Sequence, residues 1–210
     1  MPRIRAGRCQ GKRRWCVANK NWTDIHGWFR WRSGQEEAVQ HFAEGSRFVE
    51  VGTFLGKSIC SLGEVVQQSG KRLSIVGVDT CRGSGPEGPK QKDFHGGAVA
   101  DGGGTFAGTL HRNVIECGLA DAITLIVADS VTAAGLFADR SIDWVHLDAR
   151  HDSEHLRADI AAWLPKVRPG GWLSGDDYNE EKWPEVVSTV QALLPGAQKW
   201  SSKQWRKVVD

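Results

Sequence analysis

The chain of 210 residues is long enough for one domain with a sizeable core, or at most two small ones. Its 40% hydrophobic and 25% charged residues are ordinary for a globular protein and exclude a collagen-like or wholly disordered chain. No apolar run approaches the roughly 18 residues of a membrane span, and the basic N-terminus lacks the apolar segment of a secretory signal. The five cysteines include no C-x-x-C pair, which favours a reducing, cytoplasmic setting.

The net charge of +2 is unevenly distributed. Residues 1–32 hold nine Lys and Arg but only one acidic residue, Asp24. We therefore separate a basic, Trp-rich arm at residues 1–35 from a body at residues 36–210. Three aromatic residues of the arm are expected to dock on the body, because exposed rings usually cover a surface: Trp28, Phe29 and Trp31. The arm is a solvated tail, a contact for nucleic acid or an acidic surface, or part of a homodimer interface.

The body alternates apolar runs with helical periodicity. Strands are predicted at Arg47–Val51, Leu73–Asp79, Ile123–Ala128, Ile142–Leu147 and from Trp172–Ser174 onward, after a Pro169-Gly170 turn. Helices are predicted at Ser58–Gln68, Phe106–Cys117, Val131–Phe137, Ser153–Leu164 and Trp183–Leu194. The tail at 197–209 is expected to add one or two edge strands. Residues 82–105 form a Gly-rich loop of the length typical of a lid or binding loop.

This alternation predicts an α/β fold, in which a mostly parallel sheet of about seven strands lies between two layers of helices. Ligands of such sheets bind beyond the carboxyl ends of the strands, near the switch in strand order. The polar residues that directly follow each strand are therefore the candidates for function.

The first three strands end in residues that suit a nucleotide. The turn from Gly52 to Gly56 lets the backbone approach a ligand, although its spacing is neither that of a dinucleotide fingerprint nor that of a P-loop. Asp79 is placed to accept hydrogen bonds from a ribose diol. Asp129 and Ser130 would contact an adenine edge or simply cap the next helix. The alternative for the turn from Gly52 to Gly56 is a purely structural strand-to-helix turn. The alternative for Asp79 is a loop residue that caps a turn.

The fourth and fifth strands end in carboxylates. Asp148 follows the fourth strand, and Asp176 and Asp177 follow the fifth. Three acids at one sheet edge are unfavourable unless a cation lies between them, and an all-oxygen site suits Mg²⁺, with Mn²⁺ or Ca²⁺ as alternatives. His151 lies beside this predicted metal site, where an imidazole can accept a proton at neutral pH. A turn and a helix cap are the alternative interpretation of the Asp pair.

The order of these motifs resembles class I S-adenosylmethionine-dependent methyltransferases, which have a Rossmann-like three-layer fold. The matching segments are FVEVGTFLGKS, VGVDT, VADS and DWVHLDARHDSEHLRADIAAWLPKVRPGGWLSGDDY. The last segment is similar to the small metal-dependent sugar and natural-product O-methyltransferases of the macrocin type. The resemblance covers about residues 25–195. It implies methyl transfer from S-adenosylmethionine to a hydroxyl, with Mg²⁺ or another divalent cation.

The resemblance also implies roles for individual residues. The cofactor would be bound, from its methionine end to its adenine, by Glu50, Gly52, Phe54, Gly56, Ser58, Asp79, Asp129 and Ser130. Asp148 would lie beside both cofactor and metal, with Asp176 and Asp177 as the other ligands and His151 as the base. The catechol enzymes have a lysine at the position of His151. Many relatives have Asp where this chain has Arg150.

Three rival functions are left open by the sequence. A dinucleotide-dependent oxidoreductase would need the glycine fingerprint that is missing here. A nucleic-acid methyltransferase would use the basic arm to contact phosphates and stack bases. A non-catalytic module would keep only the cofactor site. The acceptor hydroxyl, on a glycan, a natural product or another small molecule, is not fixed by any motif.

Overall fold

The protein is described by a computed structural model that covers residues 19–88, 90–201 and 203–210. Most of the basic arm therefore lies outside the described residues. The strands are β1 Arg47–Val51, β2 Ser74–Asp79, β3 Pro86–Glu87, β4 Lys92–Asp93, β5 Ile123–Val127, β6 Ile142–Leu147, β7 Val167–Gly175, β8 Gln198–Trp200 and β9 Gln204–Val208. The helices are α1 Arg32–His41, α2 Lys57–Ser69, α3 Gly96–Asp101, α4 Ala107–Glu116, α5 Ser130–Ala134, α6 Ser153–Trp163 and α7 Pro184–Leu193.

The main sheet has seven strands in the order β5-β2-β1-β6-β7-β9-β8. Its first five strands are parallel, and β9 and β8 pair antiparallel at one edge. The chain runs from β1 outward through β2 to β5 on one side, then returns to β6 on the other. The switch in strand order thus lies between β1 and β6, which confirms the predicted α/β architecture and places a ligand crevice at their carboxyl ends.

A buried cluster covers each face of the sheet. Alternate residues of β1 divide between them: Phe48 joins an aromatic-rich cluster under α1, α2 and α4, whereas Val49 and Val51 join an aliphatic cluster under α5, α6 and α7. Trp144 lies in the middle of the aromatic cluster, with ring centroids 5.1 Å from Phe48 and 6.2 Å from Trp31. The two clusters establish the three layers that the sequence predicts.

Helix α1 was not predicted from the sequence. It spans the boundary that the sequence analysis placed between the arm at residues 1–35 and the body at residues 36–210. Its pattern is weak because only Ala38 and Val39 are buried apolar residues of the helix. The helix is held instead by contacts from distant segments. Lys71 Nζ donates to three carbonyl oxygens at its carboxyl end, at 2.6–3.1 Å. The ring of Trp200 packs closely on Gly34, where a Cβ would lie 3.0 Å from it and would force the ring to move slightly.

Two other segments differ from the prediction. Residues 82–105 contain the β3–β4 hairpin and helix α3 rather than a simple loop. Strand β7 begins at Val167 and passes through the predicted Pro169-Gly170 turn, since Val167 still pairs with Ile142 of β6. Gly170 has a φ of +76° and the register shifts nearby, so the turn signal marks an irregularity within the strand.

The three aromatic residues of the arm have different environments. Trp31 is buried and Phe29 packs against the aromatic cluster, as expected. Trp28 is 61% exposed, although its ring stacks on Phe54 at a centroid distance of 6.1 Å. None of the helices in the described residues is long and apolar enough to cross a bilayer.

Candidate active site

The turn after β1 is shaped by two close approaches. Gly52 has a φ of +89°, and a Cβ on it would lie 2.0 Å from the backbone oxygen of Asp148, so only glycine fits. Phe54 is also in the left-handed region, with a φ of +46°, and its N–H donates to Asp79 Oδ2 at 2.8 Å. Gly56 then precedes α2 at a φ of +92°. The predicted turn therefore brings the ends of β1, β2 and β6 together.

Glu50 is a buried carboxylate on β1 that is only half satisfied. Ser58 Oγ, in the first turn of α2, donates to its Oε1. Its Oε2 has no hydrogen-bond partner within the described ranges. Burial raises the pKa of Glu50 to about 8, with Ser58 opposing the shift and the charges of Asp148 and Asp79 adding to it. An unpartnered carboxylate oxygen in this position is suited to a ligand that carries a positive charge or an N–H donor.

Asp79 at the end of β2 is held by backbone donors. Its Oδ2 accepts from Phe54 N and its Oδ1 from Cys81 N, at 2.8 and 2.7 Å. Burial raises the pKa of Asp79 despite these donors. Because each oxygen has a second lone pair, the carboxylate remains able to accept from a ribose.

Asp129 and Ser130 make structural contacts around the helix that follows β5, which was the alternative to an adenine contact. Asp129 Oδ1 accepts from Thr132 N at 3.1 Å and caps α5. Ser130 Oγ accepts from the indole N–H of Trp163 at 2.9 Å. Both residues thus have structural partners, and an adenine contact would be additional to these.

The three predicted acidic residues do meet at one edge. The N–H of Asp148 donates to Val51 O at 2.7 Å, and that of Asp176 to Leu147 O at 3.2 Å, so the two strand ends lie side by side. Burial raises the pKa of Asp148 to about 7; the carboxylates of Asp176 and Asp177 add to this effect, and His151 opposes it.

His151 lies among three carboxylates. Its Nδ1 is 3.1 Å from Glu87 Oε2, in hydrogen-bonding geometry. Its Nε2 is 3.2 Å from Asp177 Oδ2 and 3.5 Å from Asp148 Oδ1, within ion-pair range but without the alignment of a hydrogen bond. Burial alone would lower the pKa of His151, but the carboxylates around it raise the pKa to about 10. The imidazole is therefore positively charged at neutral pH.

Glu87 is the site residue that the sequence analysis missed. It stands on the β3–β4 hairpin within residues 82–105 and is only 5% exposed. Arg150 holds this segment against the end of β6, since its NH1 donates to Ser84 O while its Nε pairs with Asp152 at 2.7 Å. The only sequence signal was the length of the segment, because no local pattern relates position 87 to position 151.

The comparison with family models identifies the family of the chain. A model described as a methyltransferase domain matches residues 49–178, more than half of the chain. The chain belongs to this methyltransferase-domain family. This membership confirms the resemblance to class I S-adenosylmethionine-dependent methyltransferases. A comparison with curated proteins finds no match.

Solved structures share the fold at low sequence identity. The O-methyltransferase NovP has a TM-score of 0.61 and 13% identity, over 83% of this chain and 77% of NovP. CalS11, a calicheamicin methyltransferase, has a TM-score of 0.58 and 15% identity, over 83% and 76% of the two chains. An S-adenosylmethionine-dependent O-methyltransferase from Thermotoga maritima has a TM-score of 0.55 and 16% identity, over 84% of this chain. This chain spans only 56% of the length of the Thermotoga protein.

The predicted metal ligands of the methyltransferase do not form a ligand set as their side chains stand. Asp176 Oδ1 accepts from Gln204 Nε2 and from Asp177 N, both at 2.7 Å. The position between Asp148 and Asp177 is taken by the imidazole of His151. No group of three or more His, Cys, Asp or Glu side chains in residues 19–88, 90–201 and 203–210 is arranged to hold a metal ion. The donor types suit Mg²⁺, but their arrangement does not.

A cavity of about 400 Å³ opens beside His151. Its walls come from the β3–β4 hairpin, the turn after β6 and the start of α7, including Glu87, Gln91, Arg150, Lys182 and Trp183. The ring of Trp183 lies 4.6 Å from that of His151, with 37° between their planes. The cavity thus combines an aromatic wall with charged groups next to the acidic edge.

Proposed function

We propose that this methyltransferase transfers a methyl group to a hydroxyl oxygen of a sugar-containing or related natural-product acceptor. The observation that carries the proposal is the cavity between Glu87 and Trp183, whose wall includes His151, the residue that contacts Asp148 and Asp177. An aromatic wall with polar groups around it suits a ring that has apolar faces and hydroxyl edges. Trp183 would cover an apolar face of such a ring, and Arg150 and Lys182 would receive its hydroxyls.

The cofactor is assigned to the β1–β2 side of the crevice. Glu50 supports this assignment, because its unpartnered Oε2 would accept from the amino group of the methionine end. Asp79 would receive the ribose hydroxyls. Asp129 and Ser130 would lie near the adenine, while their side chains continue to hold α5 and Trp163.

The reaction breaks the bond between sulfur and the methyl carbon and forms a bond between that carbon and the acceptor oxygen. The hydroxyl proton must leave as the new bond forms. His151 is poorly suited to accept it, because the surrounding carboxylates already keep the imidazole protonated. We assign proton acceptance to Asp148, whose raised pKa of about 7 suits a base at neutral pH, with His151 as the adjacent positive charge. The sequence-based assignment of His151 as the base is thus revised within this proposal.

Calorimetry with S-adenosylhomocysteine tests the cofactor half of the proposal. We expect saturable binding to the wild type and to Glu44→Gln, a control whose side chain pairs with Arg72 at the far ends of the strands. Glu50→Gln is expected to bind more weakly. Binding that is equal in all three proteins would refute the assignment of Glu50.

Transfer of labelled methyl groups tests the acceptor half. Glycosylated natural products, free sugars, catechols and an oligonucleotide would be offered in parallel with S-adenosylmethionine. We expect labelling of a sugar-containing acceptor and its loss in Asp148→Asn. Salt-sensitive labelling of the oligonucleotide alone would favour the rival role of the basic arm.

A further inference from the structure

The carboxylates at the ends of β6 and β7 raise the question of what lies between them. Asp148 and Asp177 both lie within 3.5 Å of one nitrogen, His151 Nε2. The imidazole of His151 thus occupies the space that the sequence analysis assigned to a divalent cation.

We infer that the side chain of His151, fixed by Glu87, occupies the place of a divalent cation between Asp148 and Asp177. The inference rests on the proposed O-methyl transfer and assigns the space between these carboxylates to a residue of this chain. Glu87 is a positioning residue in this arrangement, because it contacts His151 and is not placed against the reacting atoms. Asp176 stands outside the arrangement, since its Oδ1 is engaged by Gln204 and by the N–H of Asp177.

Two features of Glu87 support its positioning role, and a contact from Trp183 adds to them. Its side chain is 4% exposed, so its contact with His151 is shielded from water. Its Oε2 fixes Nδ1 as the hydrogen-bond donor and thereby directs Nε2 toward Asp148 and Asp177. The ring of Trp183 covers the imidazole from a third direction. The histidine therefore has a fixed orientation rather than the freedom of a surface side chain.

Titration of Mn²⁺, followed by calorimetry and by its electron paramagnetic resonance signal, tests the replacement. The wild type saturated with S-adenosylhomocysteine is expected to bind no Mn²⁺ at the acidic edge. His151→Ala is expected to gain one Mn²⁺, because it removes the ring that stands between Asp148, Asp177 and Glu87. The further substitution Asp177→Asn in that variant should abolish the gained binding.

Two results would overturn the inference. One is stoichiometric Mn²⁺ binding by the wild type that Asp148→Asn removes. The other is a His151→Ala variant that keeps its affinity for S-adenosylhomocysteine but gains no metal. The wild-type titration decides the matter even if His151→Ala fails to fold. Failure of the proposed function is seen separately, as absence of S-adenosylhomocysteine binding to the wild type.

The role of Glu87 is tested by the side-chain NMR signals of His151, assigned by their loss in His151→Ala. In the wild type we expect a protected Nδ1–H signal that broadens or disappears in Glu87→Gln, while S-adenosylhomocysteine affinity stays the same. A residue that only supported the hairpin would leave the His151 signals in place. An unchanged Nδ1–H signal in folded Glu87→Gln would therefore refute the positioning role.

Discussion

The two sides of the crevice position their charged groups in different ways. On the β1–β2 side, backbone N–H groups fix two of the carboxylates: Asp79 is held by two such groups and Asp129 by one. On the β6–β7 side, side chains fix one another, as His151 does with Glu87 and Asp177. Substitutions at Gly52 and around Asp79 should therefore act through backbone geometry, whereas those at Glu50 and on the β6–β7 side should act through charge.

The largest effect is expected at Gly52, where the two sides touch. Gly52→Ala would place a Cβ in contact with the oxygen of Asp148 and would hold alanine at a φ of +89°. Left-handed strain and overpacking together should lower the free energy of unfolding by about 3 kcal/mol or more. Gly45→Ala is the matched control, since Gly45 has a φ of +84° with nothing within 4 Å of its Cβ position.

Urea unfolding of the two variants separates the backbone strain from the overpacking. Gly45→Ala should lose only about 1–2 kcal/mol, the strain alone. Equal losses in both variants would mean that the contact between Gly52 and the backbone of Asp148 tolerates a methyl group. The ends of β1 and β6 would then be less tightly packed than the 2.0 Å distance indicates.

Glu50 is expected to show opposite effects on binding and stability. Glu50→Gln removes the charge that would receive the cofactor's amino group, so affinity for S-adenosylhomocysteine should fall roughly 10- to 100-fold. The unliganded protein should lose little stability or gain some near pH 8, because an ionised carboxylate is costly to bury.

The pH dependence follows from the raised pKa of Glu50. The unfolded chain loses this proton near pH 4.5, whereas the folded protein keeps it until about pH 8. The contribution of Glu50 to stability is therefore fully present below pH 4.5 and declines as the pH rises to 8, by up to about 1.4 kcal/mol per pH unit. The difference in unfolding free energy between wild type and Glu50→Gln, measured across this range, should follow that slope; a flat difference would contradict it.

A smaller and selective effect is expected within the acidic edge. Asn at position 176 can still accept from Gln204 and from the N–H of Asp177, so Asp176→Asn should change stability and turnover by less than about 1 kcal/mol. Asp148→Asn should reduce turnover far more. A metal held by all three carboxylates would instead make both substitutions severe, so turnover and Mn²⁺ binding of the pair distinguish the two arrangements.

The sequence predicts the two sides of the crevice unequally, and the reason is physical. Strand ends and the glycine turn carry local signals, so Gly52, Asp79 and Asp148 could be placed from the residues alone, whereas Glu50 entered only through the family resemblance. Glu87 could not, because its contact with His151 joins segments 64 residues apart through a short hairpin with no periodicity. Helix α1 was missed for a similar reason: its stability comes from Lys71 and Trp200, outside its own sequence.

The smallest effect is expected at Ser130, which distinguishes a structural contact from a cofactor contact. Ser130→Ala would leave the indole N–H of Trp163 without its acceptor, and so should cost about 1 kcal/mol of unfolding free energy. Affinity for S-adenosylhomocysteine should stay close to that of the wild type, because the hydroxyl is already engaged by Trp163. A loss of affinity with unchanged thermal stability would show instead that the hydroxyl serves the adenine. In that case the β1–β2 side would depend on side-chain contacts as much as the β6–β7 side does.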